Sequence, residues 1–187
     1  MSNLVDRYLL FRIRTKRDPE AFAKIYDRYV AALYRFAFLK VPSKEDAQDI
    51  TAETFTKAWH YLQEHSDVVH VRALLYRISR NLIVDYYRQR PPTISLQSVT
   101  FEGDFTSTTM NEEPHDQGRG QNVIEARAEL NLVLGKLEKL KEDYRDVIML
   151  RLVDGLAFQD IATILEKSTG HVRVIYHRAL KALDEHI

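Results

Sequence analysis

Between Pro91 and Gln121 the chain loses every periodicity that could hold a regular element. This 31-residue stretch contains Pro91, Pro92, Gly103, Pro114, Gly118 and Gly120 among many Ser and Thr residues. Only Thr93–Val99 has a pattern compatible with transient extended structure. A loop of that length inside one compact domain is uncommon. The sequence therefore predicts two small helical domains, residues 1–90 and 122–187, joined by a flexible acidic linker over 91–121. On both sides the apolar residues recur at three and four, so the expected fold class is all-α. No internal repeat is present.

Helix punctuation is clearest before the linker. Asp18-Pro19-Glu20 offers an N-cap, a proline at the first helical position and an acid in the first turn. From there Ala21-Phe22, Ile25-Tyr26, Tyr29, Leu33 and Phe36-Ala37 mark one face, and Pro42-Ser43 ends the helix. Ser43 with Asp46 resembles a capping box for a helix over 44–64. A further helix over 70–90 stops at the proline pair, and a short one is expected over 4–14. After the linker, helices are predicted over 123–140, 143–153, 157–166 and 169–185.

Composition removes several function classes. The chain has no cysteine, which rules out disulfide scaffolds, thiolate metal sites and cysteine nucleophiles. No apolar run approaches the roughly 20 residues that span a bilayer, and Met1-Ser2-Asn3-Leu4 lacks a signal pattern, so no membrane insertion and a cytoplasmic location are expected. His60, His65 and His70 recur at five, which does not align them on one helix face, and no carboxylate completes a ligand set. No metal, no cofactor and no catalytic residue is predicted; an enzyme reading has no positive support.

Formal net charge is zero, but it is unevenly spread. Residues 1–90 carry 16 Lys/Arg against 11 Asp/Glu, the linker carries Arg119 against five acids, and residues 122–187 carry 10 against 11. A neutral total argues against bulk, sequence-blind nucleic-acid binding while leaving room for local basic faces.

Three faces carry the functional reading. On the 44–64 helix, Ala47, Ile50, Thr54, Ala58 and Leu62 fall on one side, with Asp49, Glu53, Thr56 and His60 opposite and Glu45 and Asp46 flanking. Periodicity leaves a solvated acidic face and a docking surface for a basic partner both open. On the 70–90 helix, Val71, Leu75, Ile78, Leu82 and Tyr86 form the expected buried stripe. Arg77, Arg80, Asn81 and Arg88 share the outer face with Tyr87 at its margin, and Asp85 opposes five arginines between 71 and 90. Arginine tracks phosphates and an aromatic can stack on an unpaired base; a merely solubilising face is the alternative.

The last two helices read as a helix-turn-helix around Lys167-Ser168-Thr169-Gly170, with Ser168 as N-cap. Val172, Tyr176, Ala179, Leu180 and Leu183 face inward. Gly170, Val174, His177, Arg178 and Lys181 face outward, where glycine admits a phosphate to the backbone and the rest reach phosphates or base edges. An ordinary helical hairpin fits the same pattern.

At this level of detail the chain resembles the extracytoplasmic-function sigma factors of bacterial RNA polymerase. Asp18-Pro19-Glu20-Ala21-Phe22 through Tyr29 resembles the opening of sigma region 2. Asp46-Ala47-Gln48-Asp49-Ile50 with Glu53-Thr54-Phe55 and Trp59 resembles the segment that grips the β′ coiled coil. Leu75-Tyr76-Arg77-Ile78-Ser79-Arg80-Asn81 with Asp85 and Arg88 resembles the −10 melting helix. Arg151-Leu152, Gly155, Ile161-Ala162, Gly170-His171-Val172-Arg173 and His177-Arg178-Ala179 resemble region 4.

The resemblance implies a promoter-specificity subunit. Its polymerase-binding residues would be Asp46, Asp49, Glu53, Thr56 and Trp59. Its −10 residues would be His70, Arg77, Arg80, Asn81, Tyr87 and Arg88, with Ser66–His70 forming much of a pocket for an extruded base. Its −35 residues would be Thr169, Gly170, His171, Arg173, Val174, His177, Arg178 and Lys181. Implied partners are core RNA polymerase (β′ clamp coiled coil and β flap), promoter DNA and an anti-sigma factor. A sigma-like decoy for an anti-sigma protein and an autonomous helix-turn-helix regulator are the alternatives. The chain departs from the family pattern at Glu166, where a turn glycine is frequent, and at Val174 and Ile175, where polar or basic residues are common.

Overall fold

Asp18 opens the first long helix as its neighbours dictate: its carboxylate accepts from the backbone N–H groups of Glu20 (2.9 Å) and Ala21 (3.3 Å), and Pro19 follows. In the computed structural model, residues 4–89, 135–137 and 140–184 are described, and all regular structure among them is helical. The N-terminal unit comprises α1 (Leu4–Lys16), α2 (Pro19–Phe38), α3 (Lys44–Glu64) and α4 (Val71–Gln89). The C-terminal unit comprises α5 (Glu142–Ile148), a π-helical turn (Met149–Val153), α6 (Phe158–Leu165) and α7 (Thr169–Asp184). The predicted linker, its Thr93–Val99 segment and most of the helix expected over 123–140 lie outside the described residues.

Helix α2 buries Ala21, Ile25, Tyr29, Leu33, Phe36 and Ala37 of the face its spacing predicts, while Phe22 of that face is half-buried and Tyr26 is exposed. Each large apolar side chain so removed from water contributes about 1.5–3 kcal/mol. Helix α3 begins where Ser43 Oγ accepts from Asp46 N–H at 3.0 Å. It packs on α2 through Ala47, Ile50, Phe55, Ala58 and Leu62. Its buried Thr51 and Thr54 satisfy their hydroxyls by donating to the carbonyls of Ala47 and Ile50, both at 2.7 Å.

Helix α4 departs from expectation. Beyond Val71, Leu75 and Leu82 it buries Ala73, Leu74, Tyr76, Ser79 and Ile83, whereas Ile78 and Tyr86 are only half-buried. That set is too wide for one face. The helix is covered on one side by α2 and α3 and on another by α6 of the C-terminal unit, so the apolar core runs continuously through both units.

In the C-terminal unit the single helix predicted over 143–153 widens in its last turns. Asp154 N–H reaches Met149 O at 3.1 Å, one residue beyond α-helical reach, and Gly155 takes φ +64° to release the chain toward α6. Leu156 N–H then closes onto Leu150 O at 2.9 Å. Helices α5 and α7 pack together, with Leu137, Leu140, Ile148 and Ala179 forming a second apolar cluster.

One buried acid fastens α1 to α2. Asp6 is 2% exposed and accepts from Arg28 (2.6 Å) and from the Tyr29 hydroxyl (2.6 Å). Burial raises the Tyr29 phenol, which stays a hydrogen-bond donor. Removing the acid strands the buried Tyr29 hydroxyl while the exposed Arg28 turns to water, so Asp6→Ala is expected to destabilise the protein by about 1–3 kcal/mol. Equilibrium urea unfolding checks this through a lower midpoint at an unchanged slope.

Candidate nucleic-acid and polymerase interfaces

The acidic ridge on α3 forms as its wheel requires, with one exception. Asp49, Glu53 and Thr56 are exposed on the side away from the core. Glu53 pairs with Lys57 at 2.9 Å along the helix, and Thr56 donates back to Ala52 O at 3.0 Å. Trp59 is half-buried with its ring 5.0 Å from that of Phe22, so only its edge belongs to the ridge. Asp46 does not join it: its carboxylate accepts from Ser43 Oγ at 2.5 Å and from the Tyr86 hydroxyl of α4 at 2.8 Å. The residue works as a clasp between α3 and α4.

The loop between α3 and α4 encloses a cavity of about 270 Å³ lined by Tyr61, Val68, His70, Leu74 and Arg77, with Thr163 of α6 at its wall. Arg14 of α1 donates to Val68 O and fixes the loop from below. Val69 and His70 are exposed at the rim. Of the segment Ser66–His70, the residues Asp67–His70 border this recess.

The arginine face of α4 is divided. Asn81 and Arg88 are exposed, the latter 76% accessible and 3.5 Å from Asp85 one turn away. Tyr87 is partly exposed and donates its hydroxyl to Lys40 O at 2.6 Å. Arg77 and Arg80, expected on an open outer face, instead meet acids of the C-terminal unit. Arg80 Nε donates to Asp146 at 2.8 Å, and its Nη2 lies 3.5 Å from Glu142 and 3.7 Å from Asp143. Arg77 lies 3.6 Å from Glu166.

Asp146 is the residue that sequence reading missed. Its side chain is fully buried and also binds Lys40 at the end of α2. Burial lowers the Lys40 ammonium from its ordinary range to about 7. Asp154 makes a second bridge, with Arg35 at 3.1 Å on its carboxylate and Arg72 at 3.2 Å on its carbonyl; burial raises its carboxyl above the usual range. The available signal was Asp146 four residues before the apolar Leu150, an acid at core spacing.

In the C-terminal unit α6 and α7 form the predicted helix-turn-helix. Glu166 takes the left-handed conformation at φ +54°, and Ser168 Oγ accepts from His171 N–H at 3.2 Å. Gly170, His171, Arg173, Val174, His177, Arg178 and Lys181 lie exposed along α7, with Thr169 half-buried at its start. The Arg173 guanidinium sits 5.8 Å from the Phe158 ring centre. Ile175, set beside Val174 in the sequence as a recognition-helix position, is a core residue at 5% exposure, while Tyr176 is half-buried.

Two ordered family matches fall on these two units. The family model for Sigma-70 region 2 matches residues 25–91, and that for Sigma-70 region 4 matches residues 130–183. The chain is 29% identical over 168 residues to the ECF RNA polymerase sigma factor SigW of Bacillus subtilis, covering 90% of this chain and 89% of that protein. It belongs to the ECF sigma factors. It is also 29% identical to the ECF RNA polymerase sigma-E factor of Escherichia coli K12, covering 98% of this chain and 95% of the relative.

Among solved structures it is similar to CnrH in complex with the cytosolic domain of CnrY, at 26% identity and a TM-score of 0.70 over 96% of this chain and 95% of that one. The Bartonella quintana sigma factor RpoE, solved with the anti-sigma factor NepR, shares the fold at 22% identity and a TM-score of 0.63 over 88% of this chain and 95% of that one. As a sigma factor the protein is a transcription initiation factor. Among the described residues, no helix is long and apolar enough to cross a membrane.

The strained cap at Glu166 has a measurable consequence. A non-glycine residue in the left-handed region costs roughly 1–2 kcal/mol, and the exposed contact with Arg77 returns little of it. Glu166→Gly in this sigma factor is expected to stabilise the fold by about 1 kcal/mol, checked as a rise in melting temperature.

Proposed function

We propose that this sigma factor directs promoter-specific initiation through three surfaces, on two domains spanning residues 1–90 and 122–187 with a linker over 91–121. Asp49 and Glu53 dock the basic β′ coiled coil of core polymerase, with Thr56 and the Trp59 edge beside them. Arg88, Asn81 and, once uncovered, Arg80 and Arg77 hold the separated −10 strand, with Tyr87 at the margin of that face. The recess at Ser66–His70 takes an unstacked base, whose extrusion costs a few kcal/mol. Helix α7 meets the −35 element, and core polymerase, promoter DNA and an anti-sigma protein are the partners. The protein acts in the cytoplasm, without cofactor or catalytic residue.

The observation that carries this reading is Gly170. A methyl group built there would meet no atom within 4 Å, and the backbone is not left-handed, so neither packing nor conformation requires glycine. The absent side chain opens the first turn at the positive end of α7 to a phosphate, where the His171 N–H is already taken by Ser168 Oγ and the N–H groups of Thr169 and Gly170 would meet the ligand. Val174, 46% exposed between His171 and Arg178, offers an apolar contact to a thymine methyl.

Run-off transcription with purified core polymerase tests the whole assignment: a sigma-dependent transcript from a genomic promoter is expected, and its absence from every promoter overturns it. Asp49→Arg is expected to weaken core association at least tenfold in a pull-down titration. Arg88→Ala should leave that association intact while slowing promoter opening, read by permanganate reactivity. Alanine is the better helix former, by roughly 1 kcal/mol. Gly170→Ala should therefore keep or raise the melting temperature while weakening −35-dependent initiation, a pairing that unfolding cannot produce.

A further inference from the structure

Tyr86 and Tyr87 follow one another on α4 and point to different sides of it, yet both hydroxyls are tied to the segment where α2 gives way to α3. The Tyr86 hydroxyl donates to Asp46 Oδ2 at 2.8 Å, and the Tyr87 hydroxyl donates to Lys40 O at 2.6 Å. The two rings meet edge to face, 5.2 Å apart at 85°. Ser43 Oγ donates to the same Asp46 oxygen at 2.5 Å and accepts from the Asp46 N–H at 3.0 Å, so the carboxylate is itself held in place.

We propose, on the reading of α4 as the −10 helix, that Asp46 is a positioning residue for promoter opening. Through Tyr86 it sets the Tyr87 ring in the attitude from which that ring stacks on an unpaired base of the melted strand. Asp46 thereby acts on DNA handling instead of making the polymerase contact that the sequence implies.

Three observations support this role. First, Tyr87 follows Arg80 by two turns on one row of α4, and Arg88 follows Asn81 on the next, so the ring stands among the side chains that would hold the strand. Second, Tyr87 is 41% exposed although its hydroxyl and one neighbouring ring fix it. A side chain that must be immobilised on binding gives back part of its contact energy, and a ring held beforehand does not. Third, a phenylalanine at position 86 would give the same edge-to-face contact. The hydroxyl adds a bond to a charged acceptor, which is stronger than one to a neutral group and fixes the ring's angle.

Two variants separate hydrogen bonding from charge. Asp46→Asn keeps an acceptor and loses the charge, whereas Tyr86→Phe loses the bond and keeps both ring and charge. Holoenzyme is assembled with purified core polymerase on a promoter found by run-off transcription, with 2-aminopurine in the −10 region of the non-template strand. Stacking on the ring is read as quenching. Tyr87→Ala should abolish the quench and slow opening about tenfold, the scale of one aromatic–base stack. Tyr86→Phe and Asp46→Ala should weaken the quench and slow opening about threefold, part of what one hydrogen bond contributes. Asp46→Asn should open as the wild type does, and all four variants should bind core polymerase as tightly.

In the free protein, 3-fluorotyrosine gives Tyr87 its own fluorine resonance, assigned with Tyr87→Phe. That resonance should move in Asp46→Ala and Tyr86→Phe, with helix content by circular dichroism unchanged, and stay in place in Asp46→Asn. A resonance unmoved in Asp46→Ala, or an Asp46→Asn protein that opens slowly or loses core association, overturns the positioning role. Slow opening by Tyr87→Ala then leaves the −10 reading standing. Wild-type opening by Tyr87→Ala removes Tyr87 from the −10 face, and the positioning role with it.

Discussion

Helix α4 has to be buried on two sides while carrying Arg72, Arg77, Arg80 and Arg88. Its apolar residues point toward α2 and α3 and also toward α6. The arginines emerge from the seams between those contacts, so their stems pack while their heads seek anions. Everything placed around α4 follows from that constraint: the acids of α5 at one seam, Asp154 at another, and the open end at Arg88 where packing stops.

Carboxylates do the fastening in both units. Asp6, Asp46 and Asp146 each leave one helix and bind two groups, at least one of them on another element. Such contacts add little net stability per pair, since desolvation cancels much of the attraction. They do select one arrangement of helices over its neighbours, because a rotated helix would leave a buried charge alone. The zero formal charge of the chain gains meaning in this light: part of the basic excess of the N-terminal unit is matched across the seam by acids of the C-terminal one.

Helix boundaries were legible because they are local. Asp18, Ser43 and Ser168 cap the helices that follow them through neighbours within three residues. The faces of α2 and α3 were legible for a related reason, since each buries a single stripe. What periodicity could not deliver depends on distant partners. Leu74, Tyr76 and Ile83 are buried because a second unit lies over them, and Asp46 turns inward because Tyr86, forty residues on, supplies a hydroxyl. Ile175 instead of Tyr176 enters the core of α7, a one-residue difference that a broad apolar arc leaves open. Exposure was the most readable where side chains stay in water: Asp49, Glu53, Asn81, Arg88 and the outer row of α7.

The match to region 2 begins at residue 25, yet α1 lies before it and reaches both the Asp6 clasp and, through Arg14, the carbonyl of Val68. The floor of the recess is thus held by a helix that precedes the residues matched to region 2. A truncated protein beginning at α2 would keep its exposed charges, but would lose Leu9, Leu10 and Ile13 from the core together with the strut beneath the loop that borders the recess. The shape of the recess and the packing of the N-terminal unit would then fail together.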